Sequence, residues 1–197
     1  MIALEIFGLV EIRHGSGIYV VDSGEDHGHV RDLDVGAFEL IEARMIVEGE
    51  TAALAASVVT DADIDRLGQL IDAMHTGDQM RCELADQAFH EHIAKITENS
   101  ALIETVENFW SMRKQSTLAV KIMTRAQGGG LEARLAEHVQ IFEALKARDS
   151  HAARQAMRHH LEQVLDYLLV ATETAEMDTL RKALGAKRVR SVRRANS

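Results

Sequence analysis

The chain has 197 residues, enough for one domain or for one domain with part of a second. Its 22 Lys and Arg stand against 31 Asp and Glu for a formal charge of −9, and hydrophobic residues make up 46%, so it can bury a core and is not disordered throughout. One Cys excludes a disulfide scaffold and a thiolate zinc cluster and fits a reducing cytoplasm, and no apolar run approaches the ~18 residues of a membrane span.

Met1-Ile2-Ala3-Leu4-Glu5 opens the chain without the basic stretch and apolar run of a secretory signal. Gly8–Arg13 and Ser16–Val21 are β-branched and apolar, and Arg13-His14-Gly15-Ser16-Gly17 between them supplies turn chemistry, so a short hairpin is predicted. Residues 22–36 are rich in Gly, Asp and His without periodicity and read as a linker. From Phe38 onward the period is helical, and the absence of Pro from the whole chain fits long, unbroken helices. The first helix spans about Phe38–Val58, with Ile41, Met45, Ala52 and Ala55 on one stripe. Thr60-Asp61 caps a second that carries Ile64, Leu67, Leu70, Ile71 and Met74 and ends near Gly77. A third covers about Gln79–Thr97, and Asn99-Ser100 caps a fourth over about Ala101–Arg125. Gly128-Gly129-Gly130 breaks the chain before a fifth helix over about Leu131–Ala147, and a sixth runs from near Ser150 to about Leu184. Six helices on short links predict an all-α antiparallel bundle over residues 37–184.

The end of the chain is a basic tail, residues 185–197, expected to lose order past Leu184-Gly185. Residues 181–197 hold seven bases and no acid, which leaves 15 bases against 31 acids in residues 1–180. Such a tail is a solubilising end or a contact for nucleic acid.

The informative residues are the polar ones that fall on apolar stripes. On the third helix Cys82, Asp86, Phe89, Ile93 and Ile96 share a face, and His90 follows Asp86 by one turn, which brings the two side chains together. On the fifth, His138 occupies a core slot between Leu131, Leu135, Phe142 and Leu145. On the sixth, His160 points inward with Met157, Leu161, Val164 and Leu168, whereas His159 lies about 100° away. A buried carboxylate needs partners, and helix bundles build metal sites from inward side chains on facing helices. Asp86, His90, His138 and His160 are therefore the candidate metal ligands, suited to zinc before nickel or manganese, with a hydrogen-bonded Asp–His pair and two satisfied histidines as the bland alternative. An enzyme is not expected, because no nucleophile motif or phosphate-binding loop accompanies them; Cys82 reads as core, and a bundle metalloenzyme is the remote alternative.

The segment Gly8–Val20 resembles the wing hairpin of the winged helix-turn-helix of GntR-family transcription regulators, and Leu4-Glu5 resembles the end of the recognition helix before it. The second half resembles the all-helical FCD effector-binding domain of the FadR-type branch. The residues that carry this are Glu39-Leu40-Ile41-Glu42-Ala43-Arg44, Asp86-Gln87-Ala88-Phe89-His90, Asn99, Glu137-His138-Val139-Gln140-Ile141 and Met157-Arg158-His159-His160-Leu161. Each motif is loose alone; their order and spacing together are specific, and they cover nearly everything from Leu4 to about Leu169. In that family the matching positions, again Asp86, His90, His138 and His160, hold a divalent metal that anchors a small organic-acid effector. The resemblance adds Arg44 as an effector-binding residue, with a salt bridge to Glu48 or Asp86 as the alternative; Arg113 on the fourth helix is a weaker candidate of the same kind, for which a solvated face or a bundle salt bridge is the favoured reading.

The resemblance implies a metabolite-responsive, DNA-binding regulator working as a cytoplasmic homodimer, with Arg13, His14, Gly15, Ser16 and Gly17 of the wing on DNA. Residues 1–21 read as the remnant of the winged helix, because the chain starts inside the recognition helix. Its DNA binding is therefore expected to be weak or absent unless helices upstream complete it. The alternative is a metal- and small-molecule-binding module that no longer contacts DNA.

Overall fold

The computed structural model describes residues 10–13, 17–20, 36–76, 78–115 and 131–195. The chain divides into two units, residues 1–33 and 34–197.

In the first unit, β1 (Val10–Arg13) pairs antiparallel with β2 (Gly17–Val20), with Val10 opposite Val20 and Arg13 opposite Gly17. The β-branched and aromatic residues of both segments suit a pleated ladder. The pairing is that of a hairpin; its assignment to a winged helix-turn-helix is carried by the resemblance alone. His14, Gly15 and Ser16 lie outside the described residues, as do residues 22–35 of the expected linker.

The second unit is all-helical, with six helices among the described residues: α1 (Ala37–Val58), α2 (Asp61–Met74), α3 (Gln79–Ile96), α4 (Ser100–Gln115), α5 (Leu131–Lys146) and α6 (Ser150–Ala195). Their starts are written in short polar side chains that accept orphan backbone N–H groups. Thr60 and Asp63 form a reciprocal capping box on α2. Asp78 accepts from Met80 and Arg81, Asn99 from Ala101 and Leu102, and Asp149 from His151 and Ala152. Helices α3 and α5 are followed by Glu98 and Arg148 at φ 52° and 56°, the left-handed turn that commonly closes a helix, here without glycine.

The core lies between α1, α3 and α6, with α2 and α5 packed on it. Ile41, Ala52 and Ala55 of α1, Phe89 and Ile93 of α3, and Met157, Leu161 and Leu168 of α6 are buried. Alanines line the inner face of α1, so α6 approaches it closely: a Cβ on Gly49 would stand 2.9 Å from Arg158 Cγ. Glu50 binds Arg154 and Arg158 at 2.8 and 3.0 Å along the same seam. A smaller cluster of Ala94, Val106 and Trp110 joins α3 to α4. No helix among the described residues is long and apolar enough to cross a membrane.

One expectation changes, and one lies partly outside the described residues. The sixth helix does not stop at Leu184 but continues through Gly185 to Ala195. A single interior Gly costs about 1 kcal/mol relative to Ala, which neighbouring Ala, Lys and Arg of high helix propensity offset. The fourth helix is described only to Gln115, and residues 116–130, including Gly128–Gly130, lie outside the described residues.

Phe89 is fully buried at the centre of this core. Phe89→Ala should lower unfolding free energy by about 3–5 kcal/mol, and Thr60→Ala by about 1 kcal/mol, in urea titrations followed by circular dichroism. A loss below about 1 kcal/mol for Phe89→Ala would contradict the placement of the core.

Candidate metal centre

Five of the six helices supply the site. Asp86 and His90 come one turn apart from α3, His138 from α5 and His160 from α6, and one ligand atom from each lies within 4.8 Å of the others. The four residues selected from the helical stripes are therefore brought together. The rings pack closely, with centroids 4.3 Å apart for His138–His160 and 5.3 Å for His90–His160. The three histidines are buried; Asp86, expected to be buried, is half-buried with 26% of its side chain exposed.

Each imidazole is held by its Nδ1. His90 Nδ1 lies 2.5 Å from Glu48 Oε2, His160 Nδ1 lies 2.9 Å from Glu137 Oε2, and His138 Nδ1 lies 2.8 Å from the backbone carbonyl of Arg134. A carbonyl or carboxylate oxygen only accepts, so Nδ1 donates in all three contacts. In a neutral ring that leaves Nε2 as a bare lone pair. His138 Nε2 lies 2.9 Å and His90 Nε2 3.5 Å from the same oxygen, Asp86 Oδ1. Neutral rings would thus set lone pairs against the carboxylate, and either a proton on Nε2 or a cation between them relieves that repulsion. His90 Nε2 is buried with no hydrogen-bond partner.

The surrounding charge sets the protonation states. Burial drives the pKa of His160 well below its ordinary value, and its neighbours His138 and His90 lower it further, so this ring is neutral. Burial would raise Asp86, but the neighbouring His138 and His90 imidazoles hold it well below the usual carboxylate range. Burial likewise opposes ionisation of Glu48, yet the Arg44 and His90 charges bring its pKa from 4.5 to about 2. His90, which burial alone would lower, is raised by the Glu48 carboxylate. Glu137 is raised by burial.

Arg44 and Arg113 both lie against Trp110, with guanidinium carbons 4.6 and 4.7 Å from the ring centroid. Arg44 is buried and bound to Glu48 through Nε at 2.5 Å and Nη2 at 3.4 Å, which selects the Glu48 salt bridge over one to Asp86. Arg113 Nη1 stands 3.8 Å from Asp86 Oδ2 at the partly open side of the cluster. Of the wing residues, Arg13 and Gly17 form the last pair of the ladder, and His14, Gly15 and Ser16 lie outside the described residues.

Sequence reasoning passed over Glu137 and Trp110 and weighed Glu48 only as a partner of Arg44. Glu48 was signalled by its place one turn after Arg44 on α1. Glu137 sits beside His138 in sequence but serves His160 on another helix, a relation that no spacing rule within α5 contains.

The FCD domain family matches residues 39–163 of the chain. The chain is 37% identical over 168 residues to the Exu regulon transcriptional regulator of Escherichia coli (strain K12), an alignment that covers 82% of this chain and 65% of that protein. It is 35% identical over 179 residues to the Uxu operon transcriptional regulator of the same organism, covering 86% of this chain and 70% of that one. A solved structure of Streptococcus agalactiae GntR superposes with a TM-score of 0.55 at 26% identity, covering 83% of this chain and 77% of that one. The chain thus spans just under two thirds of the length of the Exu regulator. These relatives are named as transcriptional regulators and not as enzymes.

Removing Glu48 would leave the Arg44 guanidinium buried without its carboxylate and His90 without its Nδ1 acceptor. Glu48→Ala should cost about 3–5 kcal/mol of stability, and Arg44→Met in the same chain should recover a large part of it, because replacing both charges removes the unpaired one. Additive losses in a double-mutant cycle would show that the pair is not coupled.

Proposed function

Because the chain belongs to the GntR family of transcription regulators and carries its FCD domain, we propose that it is a metabolite-responsive regulator whose helical domain binds a divalent metal and a small carboxylate effector. The observation that carries this reading is the orientation of the three imidazoles. All three Nδ1 atoms are tied to acceptors, and an acidic carboxylate faces the remaining nitrogens within 4.8 Å. Outer partners of this kind fix the tautomer and aim of metal-bound histidines.

Asp86, His90, His138 and His160 would hold the ion, with zinc the best match to three imidazoles and one carboxylate and nickel or manganese also compatible. A metal bound there supplies a positive centre for an anionic ligand. Four protein ligands leave room for an effector oxygen if the coordination expands beyond four. Arg113, beside Asp86 at the less buried side, would take the effector's carboxylate through its guanidinium fork. Arg44, already bound to Glu48, would contribute charge and lies against Trp110.

The protein would act in the cytoplasm as a homodimer on DNA, with Arg13, His14, Gly15, Ser16 and Gly17 of the hairpin touching the duplex. Effector binding would bias the DNA-binding heads by favouring one of two arrangements. Relatives named for the Exu regulon and the Uxu operon make a regulon of that kind the first place to seek its target.

Metal analysis of the purified chain should find about one ion per chain. A His138→Ala, His160→Ala double variant should lose it; stoichiometric metal in that variant would overturn the ligand assignment. Glu137→Gln should weaken metal affinity about 10–100-fold while leaving the four ligands in place. Zinc at about 100 times its Kd should raise unfolding free energy by about 2.7 kcal/mol in the parent chain and not in the double variant. Calorimetry of the metal-loaded protein against organic acids should give binding that Arg113→Ala weakens; binding that is indifferent to both metal and Arg113 would sink the effector site.

A further inference from the structure

Helix α6 is far longer than the bundle requires. Its last buried residue is Leu168, and none of the described side chains beyond it is buried, although the helix continues to Ala195. Along this stretch Val170, Met177, Leu180 and Leu184 follow one another at spacings of seven, three and four, the a and d positions of a coiled-coil seam. They are 62%, 50%, 54% and 54% exposed. A solvated helix of this length has little reason to persist alone, since helical stability in water comes chiefly from packing an apolar face.

Charge says what covers it. Residues 161–180 carry five acids and no Lys or Arg, whereas residues 181–195 carry seven Lys or Arg and no acid. The sign changes once, at Leu180–Arg181, in the middle of the apolar seam. A parallel partner of the same sequence would set acid on acid and base on base. An antiparallel one lays the acidic half of each copy on the basic half of the other.

We propose that the C-terminal half of α6 pairs antiparallel with the same segment of a second copy of this chain. The two-fold axis passes between Met177 and Leu180, so that Met177 of each copy packs on Leu180 of the other. Val170 then lies level with position 187 across the seam, and Glu176 with position 181. The inference stands apart from the metal site and gives the homodimer reading a specific surface. It also accounts for the bases of residues 181–195, which serve an acidic partner helix in preference to nucleic acid.

Orientation is testable by crosslinking. Val170→Cys and Lys187→Cys proteins are mixed in equal amounts, oxidised mildly and mapped by mass spectrometry, which also separates any product of Cys82. Antiparallel pairing predicts mixed 170–187 disulfides about tenfold in excess of 170–170 and 187–187 products, because like positions lie about 25 Å apart along the axis. Predominance of like-with-like products would overturn the orientation. Sedimentation equilibrium should give twice the chain mass for the parent protein, and Leu180→Asp, at an exposed position, should abolish the mixed disulfide while the bundle still unfolds in one cooperative transition. No mixed disulfide in a protein that still sediments as a dimer overturns this surface and leaves the homodimer reading intact; a monomeric parent overturns both. Mixed disulfides that form only when DNA is added would assign the basic half to nucleic acid and also overturn the proposal.

Discussion

The Nδ1 hydrogen bond of each site histidine is the constraint on which the rest depends. An imidazole can present either nitrogen, and the choice is made by whichever acceptor lies behind the ring. Here Glu48, Glu137 and the Arg134 carbonyl make that choice three times in the same sense. Had any of these acceptors stood on the inner side, its ring would donate inward and the centre would be closed by hydrogen bonds. Placed behind, they leave lone pairs converging beside the Asp86 carboxylate.

Helical geometry makes the arrangement economical. The i, i+4 relation serves three times: Arg44 with Glu48, Asp86 with His90, and the Arg134 carbonyl with His138. Each couple is local, so α1, α3 and α5 each arrive with their polar groups already paired along one helix. Glu48 with His90, Asp86 with His138 and with Arg113, and Glu137 with His160 join different helices. Removing several charged groups from water is costly, and such a network is weak support for stability by itself. Its place in the midst of Phe89, Met157 and Leu161 is understandable as the means of fixing the aim of the rings.

The overall charge of −9 conceals two opposed regions. Acidic side chains dominate the bundle and the first part of the projecting helix, while the end of α6 is purely basic. Their separation along one continuous helix turns net charge from a statement about solubility into one about polarity. A single-sign helix would repel a copy of itself in either direction, and only a segregated one distinguishes antiparallel from parallel.

Much of the fold was legible in the sequence because it rests on local rules. Stripes at helical spacing and the short polar caps Thr60 and Asn99 located the starts of the helices to within a few residues. The same stripes picked out Asp86, His90, His138 and His160, since a polar residue in an apolar row announces that it faces inward. The helix end at Leu184 was misjudged because a glycine suggests a stop without compelling one. What only the tertiary structure decided was partnership between helices. The spacing within α1 left Arg44 free to choose Glu48 or Asp86, and nothing within α5 or α6 linked Glu137 to His160. Those relations depend on how helices dock, which is set by the packing of Phe89, Leu161 and the α1 alanines rather than by any period in the chain. The sequence by itself determined which side chains turn inward, through the 3.6-residue repeat. Tertiary packing determined which nitrogen of each imidazole does so, because the acceptor that fixes it comes, for His90 and His160, from another helix.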